Sequence, residues 1–417
     1  MVYQNTLSNG VRVVMETIPT ARSVSMGVWI RTGTRDETPA QNGISHFLEH
    51  MFFKGTSTHT ARQLAEVFDG IGGQVNAFTT KEYTCFHARV LDEHAVLALS
   101  TLADMMFDSL LDEKELEREK RVILEEIKMY EDNPEELVHD LIVEHVYPDH
   151  PLGANILGTE QSLSGIDRAM LQDYVEHRYT PREWVISLSG RLDPDGMMTE
   201  LERLFGSFRR SPLDLLDKAP VFAVGERYEA RPVEQVHVCL ATPGYAYDDE
   251  RTYTLALLNN ILGASSSSRL FQEIREERGL AYNVFSYHNA YRDCGLLSLY
   301  FGSSPGQAQT VLDVLLETVR GLVAKGVTDA ELRKAKNQVK GSLILSMEST
   351  SSRMSRIGKN QLLLGRQVEW DETIGLIEKV SASDVQKVAQ ELFSGPLSML
   401  AIGPDSRPLQ LRVGRWL

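Results

Sequence analysis

The sequence predicts an α+β protein made of two similar α/β domains related by internal duplication. Three observations carry that expectation. Strand and helix patterns alternate along the whole chain. The pattern then restarts after a stretch at 206–230, where Gly206, Ser211-Pro212 and Lys218-Ala219-Pro220 interrupt any long periodicity. Finally, corresponding elements recur at a nearly constant offset. A strand near 24 matches one near 235 (offset 211), a helix near 42 one near 249 (207), Glu115-Leu116 matches Glu331-Leu332 (216), and a strand near 184 one near 396 (212). Four elements in the same order point to a repeat; chance recurrence of common α/β patterns is the competing explanation. The expected division is 1–205, a linker at 206–230, and 231–417.

Length and composition agree. At 417 residues the chain can bury two cores, and 42% apolar with 24% charged residues is ordinary for a globular protein. No run approaches the roughly 18 apolar residues of a membrane span. The net charge of −15 argues against nucleic acid as a partner. Cys85, Cys239 and Cys294 are widely spaced without a C-x-x-C, which suits buried apolar residues better than ligands or disulfides. The start lacks a basic-then-apolar leader pattern, so a reducing, cytoplasmic location is expected.

Taken in order, Asn9-Gly10 marks a hairpin turn between two short strands. Residues 11–18 and 24–31 read as strands, and a helix follows from about Gly43 to Lys54. A second helix spans 58–69 and ends at Gly70-Ile71-Gly72-Gly73. Residues 74–80 and 84–91 form a strand pair, and 92–109 and 112–132 are long helices. Asn133-Pro134 interrupts the second of these before helix 135–147. Helix 167–179 and strand 184–191 complete the first copy. The second contains strand 235–242, helices 249–262, 327–345 and 383–393, and strand 397–402.

The chemistry concentrates in helix 43–54, which carries His46-Phe47-Leu48-Glu49-His50. Residues four apart share a helix face, so His46 and His50 stand one above the other, with Glu49 on the same side. Two such imidazoles can hold one zinc, and an adjacent carboxylate can take a proton from water. A solvated or hydrogen-bonded helix face explains this five-residue pattern equally well. A third ligand is required, and helix 112–132 offers several carboxylates. Glu119 and Glu126, seven apart, share a face that Glu125 does not.

The combination resembles the pitrilysin/insulinase family of zinc peptidases, in particular its short bacterial branch similar to mitochondrial processing peptidases. The inverted H-x-x-E-H order is the signature of that class. In the family a glutamate ligand follows the motif by about 75 residues, and another glutamate stands seven before it. Here Glu126 follows His50 by 76 residues, and Glu119 precedes Glu126 by seven. The resemblance implies His46, His50 and Glu126 as ligands to one Zn2+ per chain, Glu49 as general base, and Glu119 as a supporting carboxylate. It also implies that each domain is a mainly antiparallel sheet packed with helices.

The second copy lacks this chemistry, since Tyr253-Thr254-Leu255-Ala256-Leu257 stands opposite the motif and Ser342 opposite Glu126. Its informative stretch is 268–287, where Arg269, Arg275 and Arg278 follow a helical pattern and Tyr282 lies seven after Arg275. Salt-bridged surface arginines and a packed tyrosine account for it without function. The resemblance gives Arg275 and Tyr282 contacts to the substrate backbone, where both are suitable donors to a developing oxyanion. It also makes Asn76, Ala77 and Phe78 part of an edge strand to which an extended peptide can add; an interior strand is the plain alternative. His59, His87, His94, His139 and His145 read as structural or surface residues.

The expected function is a zinc endopeptidase acting on peptides or unfolded precursor segments, working as a homodimer with composite sites. Manganese or cobalt suits the same donors. The alternative is a non-catalytic assembly or presequence-binding subunit of the same family. A structural or storage zinc protein fits less well, because structural sites usually have four protein ligands.

Overall fold

The computed structural model describes residues 2–210 and 218–404. Ser211-Pro212, within the expected linker, and the end of the chain beyond 404 lie outside the described residues.

The chain forms two compact units, each with its own sheet. The first sheet contains β1 (Val2–Thr6), β2 (Arg12–Thr17), β3 (Ser23–Ile30), β4 (Gln74–Thr79), β5 (Thr84–Leu91) and β6 (Trp184–Gly190), ordered β1-β2-β6-β3-β5-β4. The second contains β7 (Glu226–Ala230), β8 (Val236–Gly244), β9 (Asn283–Ala290), β10 (Gly295–Ser303) and β11 (Ser398–Gly403), ordered β7-β11-β8-β10-β9.

Apart from β1, the two orders superimpose strand for strand. In each, one parallel pair (β2 with β6, β7 with β11) is followed by antiparallel neighbours to the far edge. The expected duplication therefore appears as a shared topology, and both sheets are mainly antiparallel, as the fold class requires.

The central strands explain themselves. β3 (SVSMGVWI) and β6 (WVISLSG) are buried almost throughout, as expected of strands covered on both faces. The first core gathers Val24, Met26 and Val28 of β3 with Phe47, Leu48 and Met51 of helix α1 (Ile44–Met51). Helices α2 (Ala61–Gly70), α3 (Ala95–Phe107) and α4 (Glu113–Glu131) add Leu64, Phe68, Leu99, Leu102, Leu116 and Ile123 to the same core.

The units do not follow the linear division at 205 and 231. The first comprises the described parts of Met1–Lys128, Ala154–Asp217 and Leu345–Gln367; the second those of Met129–Gly153, Lys218–Ile344 and Val368–Leu417. Each thus includes a helix from the opposite half of the sequence. Helix α5 (Pro134–Val146) packs its Val138, Ile142 and Val146 against Cys239, Tyr300 and Leu400 of the second sheet. Helix Thr350–Lys359 packs Met354 and Ile357 against Trp29, Cys85 and Val185 of the first. Polar contacts fix the latter, with Arg353 Nη1 2.6 Å from Glu16 Oε1 and Ser25 Oγ 2.8 Å from Thr350 Oγ1.

The expected linker also contains β7, which begins the second sheet. This short strand (ERYEA) is polar because it lies at a sheet edge, so it lacks the apolar run of a central strand. The sequence reading gave no element over β10, helix Ala308–Lys325 or helix Thr350–Lys359.

Candidate metal centre

Helix α1 starts without a side-chain cap of its own, because Gly43 occupies that position at φ +91°. The carboxylate of Glu37, from the preceding loop, does the capping. It accepts hydrogen bonds from the Gly43 N–H at 2.8 Å and the Ser45 N–H at 2.9 Å. A buried carboxylate at a helix N-terminus satisfies orphan donors and complements the dipole. Burial still pushes the Glu37 carboxyl up, and these hydrogen bonds oppose that shift. Ser45 Oγ, 3.0 Å from the Tyr174 hydroxyl, ties the first turn to helix Arg168–Arg178.

The anchored helix brings His46 and His50 together with ring centroids 4.6 Å apart. From α4, Glu126 Oε2 lies 3.8 Å from both His46 Nε2 and His50 Nε2. All three candidate ligand atoms fall within 4.8 Å of one another, and among the described residues this is the one group of three His, Cys, Asp or Glu able to hold a metal. Ligand atoms about 2.0–2.1 Å from a tetrahedral zinc stand roughly 3.4 Å apart, so the two 3.8 Å separations are close to that spacing and the widest, within 4.8 Å, would close on binding.

The protonation states fit as well. Burial, then the neighbouring His50, lowers His46 to about 3, keeping its imidazole neutral. Metal ligation requires that form. The His46 Nδ1 atom is buried without a hydrogen-bond partner.

His50 is oriented from behind. Its Nδ1 lies 3.0 Å from Glu119 Oε2, and because the carboxylate can only accept, the ring nitrogen donates. That tautomer leaves the Nε2 lone pair facing Glu126. Glu119 is itself buried, and its Oε1 lies 2.9 Å from Lys54 Nζ. Glu125, by contrast, is exposed and paired with Lys128.

Glu49 sits against the edge of the sheet. The Thr79 hydroxyl of β4 donates to Glu49 Oε2 at 2.7 Å. Burial raises the Glu49 carboxyl and this hydrogen bond partly offsets the rise. Next to Glu49 and His50 opens a pocket of about 400 Å³ lined by Phe53, Leu64, Phe68, Val75 and Met105, with Lys54 and Asn76 also in its wall.

Among the described residues, strand β4 pairs only with β5 and forms a sheet edge. Asn76 is exposed, Ala77 buried and Phe78 half-buried. The Ala77 N–H donates to Asn76 Oδ1 at 2.9 Å. Phe78 instead packs beside Trp29 and Tyr83, ring centroids 5.9 and 6.2 Å away.

Arg275 and Tyr282 belong to the second unit. They touch each other: the Arg275 guanidinium lies 4.4 Å from the Tyr282 ring centroid and 4.7 Å from that of Phe271, and its Nη1 donates to the Tyr282 carbonyl at 3.1 Å. Tyr282 is 72% exposed. The helical pattern here is a π-helical turn, Phe271–Glu276. Arg269 and Arg278 are engaged elsewhere, by Glu331 and Glu273.

Sequence reasoning missed Glu37, Lys54 and Thr79. Lys54 had a legible signal, being four after His50 and eight after His46. Glu37 and Thr79 had none, since their partners are set by chain folding.

Two α+β units of common topology, one bearing a His-His-Glu cluster on an inverted H-x-x-E-H helix, define a metallopeptidase-type scaffold with one candidate metal centre. Comparison with known proteins makes this specific. The model of the insulinase family (peptidase family M16) matches residues 12–160, and that of the M16 inactive domain matches 165–339. An uncharacterized zinc protease of Bacillus subtilis, YmxG, is 50% identical over 405 residues, covering 97% of this chain and 99% of that protein. An uncharacterized zinc protease of Streptomyces coelicolor, SCO5738, is 39% identical over 412 residues, covering 97% and 90%. The chain belongs to the insulinase, or M16, family of peptidases.

Solved structures share the fold. An M16 inactive-domain protein from Pseudomonas fluorescens superimposes with a TM-score of 0.91 at 19% identity, covering 98% of this chain and all of that one. A protease from Helicobacter pylori gives 0.90 at 21% identity, covering 97% and 99%.

Proposed function

We infer that the chain is a zinc-dependent endopeptidase acting on peptides or unfolded segments. One observation carries this reading: two imidazole Nε2 atoms and a carboxylate converge beside a second, half-buried carboxylate, Glu49, that is free of the ligand set. His46, His50 and Glu126 would hold the ion. Bound zinc would supply Lewis acidity and make water a stronger acid.

The protein's own groups do the rest. Glu49, with Oε2 held by Thr79, accepts a proton from the attacking water and returns it to the leaving amine. Its raised pKa makes it a better proton acceptor once ionised. The edge of β4 would align an extended substrate through main-chain hydrogen bonds, with Ala77 N–H released from Asn76 to take part. The adjoining apolar pocket would take one substrate side chain. Arg275 and Tyr282 would donate to the substrate carbonyl.

The chain would act as a homodimer, with Arg275 and Tyr282 serving the metal centre of the partner chain. Mixing Glu49→Ala with Arg275→Ala chains tests this, since composite sites would recover activity in the heterodimer.

The principal test is metal content measured beside cleavage of a mixed peptide library, for wild type and Glu49→Gln. One zinc per chain in both, with cleavage only in wild type, is expected. A wild type that neither retains zinc after reconstitution nor cleaves any peptide would identify a non-catalytic assembly subunit instead.

A further inference from the structure

We propose that Lys54 is a positioning residue for the metal centre, holding Glu119 in the orientation that fixes His50; this rests on the zinc reading above. The argument begins with the backbone. Helix α1 ends at Met51, and a tight turn continues it, with Phe53 N–H bonded to His50 O and Lys54 N–H to Met51 O, both at 3.1 Å. Gly55 at φ +110° then redirects the chain. Immediately beyond, Thr56, Thr58 and His59 converge on Asp104 of α3 at 2.7–3.0 Å. The Lys54 backbone is therefore anchored on one side by the metal helix and on the other by α3.

From this fixed origin the side chain reaches α4. Its Nζ lies 2.9 Å from Glu119 Oε1, while the other oxygen of the same carboxylate, Oε2, lies 3.0 Å from His50 Nδ1. The Glu119 side chain is 5% exposed, so water does little to hold it. Among the recorded ion pairs of the described residues, Lys54 is its one Lys or Arg partner. Without the ammonium, the carboxylate would be a buried anion whose remaining partner is the His50 ring N–H. Such a group is costly unless paired, and it lowers that cost by turning toward solvent. Turning would release His50 Nδ1, and with it the ring orientation and tautomer that aim Nε2 at the metal position. A relay of this kind makes ligand affinity depend on residues behind the ligand.

Lys54 also lines the apolar pocket, so a substitution there has two possible routes to activity. A thermodynamic cycle separates them. Zinc affinity of the full-length chain is measured by competition with a chromophoric chelator for wild type, Lys54→Met, Lys54→Arg, Glu119→Gln and the Lys54→Met/Glu119→Gln double variant. Removing a hydrogen-bonding partner behind a ligand typically weakens metal binding by about 10–100-fold. Lys54→Met is expected at the lower end, about tenfold. Lys54→Arg, which keeps the charge on a differently shaped head group, should recover most of it. The double variant should bind no more weakly than Glu119→Gln alone.

A metal-free readout accompanies these measurements. In the apo wild type, nitrogen-15 NMR should show His50 as the Nδ1-protonated tautomer, and Lys54→Met should shift it toward a mixture. If Lys54→Met misfolds by circular dichroism, the Arg variant and the wild-type tautomer carry the test. Unchanged zinc affinity and tautomer in Lys54→Met, with altered KM alone, would overturn the proposal and leave Lys54 as a pocket residue. Effects of Lys54→Met and Glu119→Gln that simply add would overturn it too. Failure of wild type to bind zinc would overturn the metal reading itself, an outcome distinct from the other two.

Discussion

Thr79 Oγ1 donates a 2.7 Å hydrogen bond to Glu49 Oε2, joining the edge strand of the first sheet to the carboxylate beside the candidate metal ligands. The bond holds one oxygen of that carboxylate, Oε2. On the proposed function, it would also place the base in register with a peptide added along β4, since Thr79 and the exposed edge are parts of one strand.

Thr79→Val removes that bond while keeping the shape. A hydrogen bond to a charged group contributes about 1.5–3 kcal/mol, so kcat/KM for a peptide should fall about tenfold or more. Zinc content should stay at the wild-type level, because no ligand is touched. Steady-state kinetics beside metal analysis checks this; loss of zinc would show that Thr79 supports the ligands instead.

Gly43→Ala should loosen the metal helix. The residue sits at φ +91°, and a Cβ there would lie 2.7 Å from the Leu157 carbonyl oxygen and 2.9 Å from Gly158 Cα. Strain of this kind costs about 1–3 kcal/mol. Denaturant unfolding should report that loss, and zinc affinity should fall with it as the Glu37 cap is displaced.

Zinc should stabilise the fold measurably. A ligand at 100 times its dissociation constant adds about 2.7 kcal/mol. Melting the protein with zinc and with EDTA should therefore give a clear difference, and Glu126→Ala should reduce it sharply by removing the one candidate ligand from α4.

In the second unit, His139 of α5 lies 2.6 Å from the Tyr287 hydroxyl and near the Cys239 thiol. Burial, with repulsion from His237, lowers it to about 4. The unfolded chain, at about 6.5, binds the proton first. Stability from this group is thus fully present above about pH 6.5 and lost as pH falls toward about 4, by on the order of 3 kcal/mol at most. His139→Phe should flatten the pH dependence of urea unfolding in that window.

These residues also show where the sequence was readable. His46, Glu49 and His50 lie on one short helix, so their geometry follows from helical spacing. Helix periodicity only set Glu126 and Glu119 apart from Glu125, which points to solvent with Lys128; the choice of Glu126 itself came from the family spacing, 76 residues after His50. Asn76, Ala77 and Phe78 were placed correctly on an edge strand, yet their three side chains go three ways, which alternation alone does not reveal. The π-helical turn under Arg275 was not legible, since its extra residue is accommodated by packing and leaves no periodic trace. Nor was the destination of helix α5 or of helix Thr350–Lys359. Amphipathic patterning says that a helix needs an apolar partner, but not which sheet provides it.

Those two helices have a consequence for how the molecule can be divided. Each repeat sends a helix away and receives one in return. Expressed alone, residues 1–205 would lack the cover over Trp29 and Val185, and residues 231–404 would lack the cover over Cys239 and Leu400. Neither piece is a finished object, and each would expose a sheet face suited to sticking. Mixed together, however, they carry all four parts of the trade. The repeats are thus bound by reciprocity rather than by a tether, and a cut in the connecting chain need not part them.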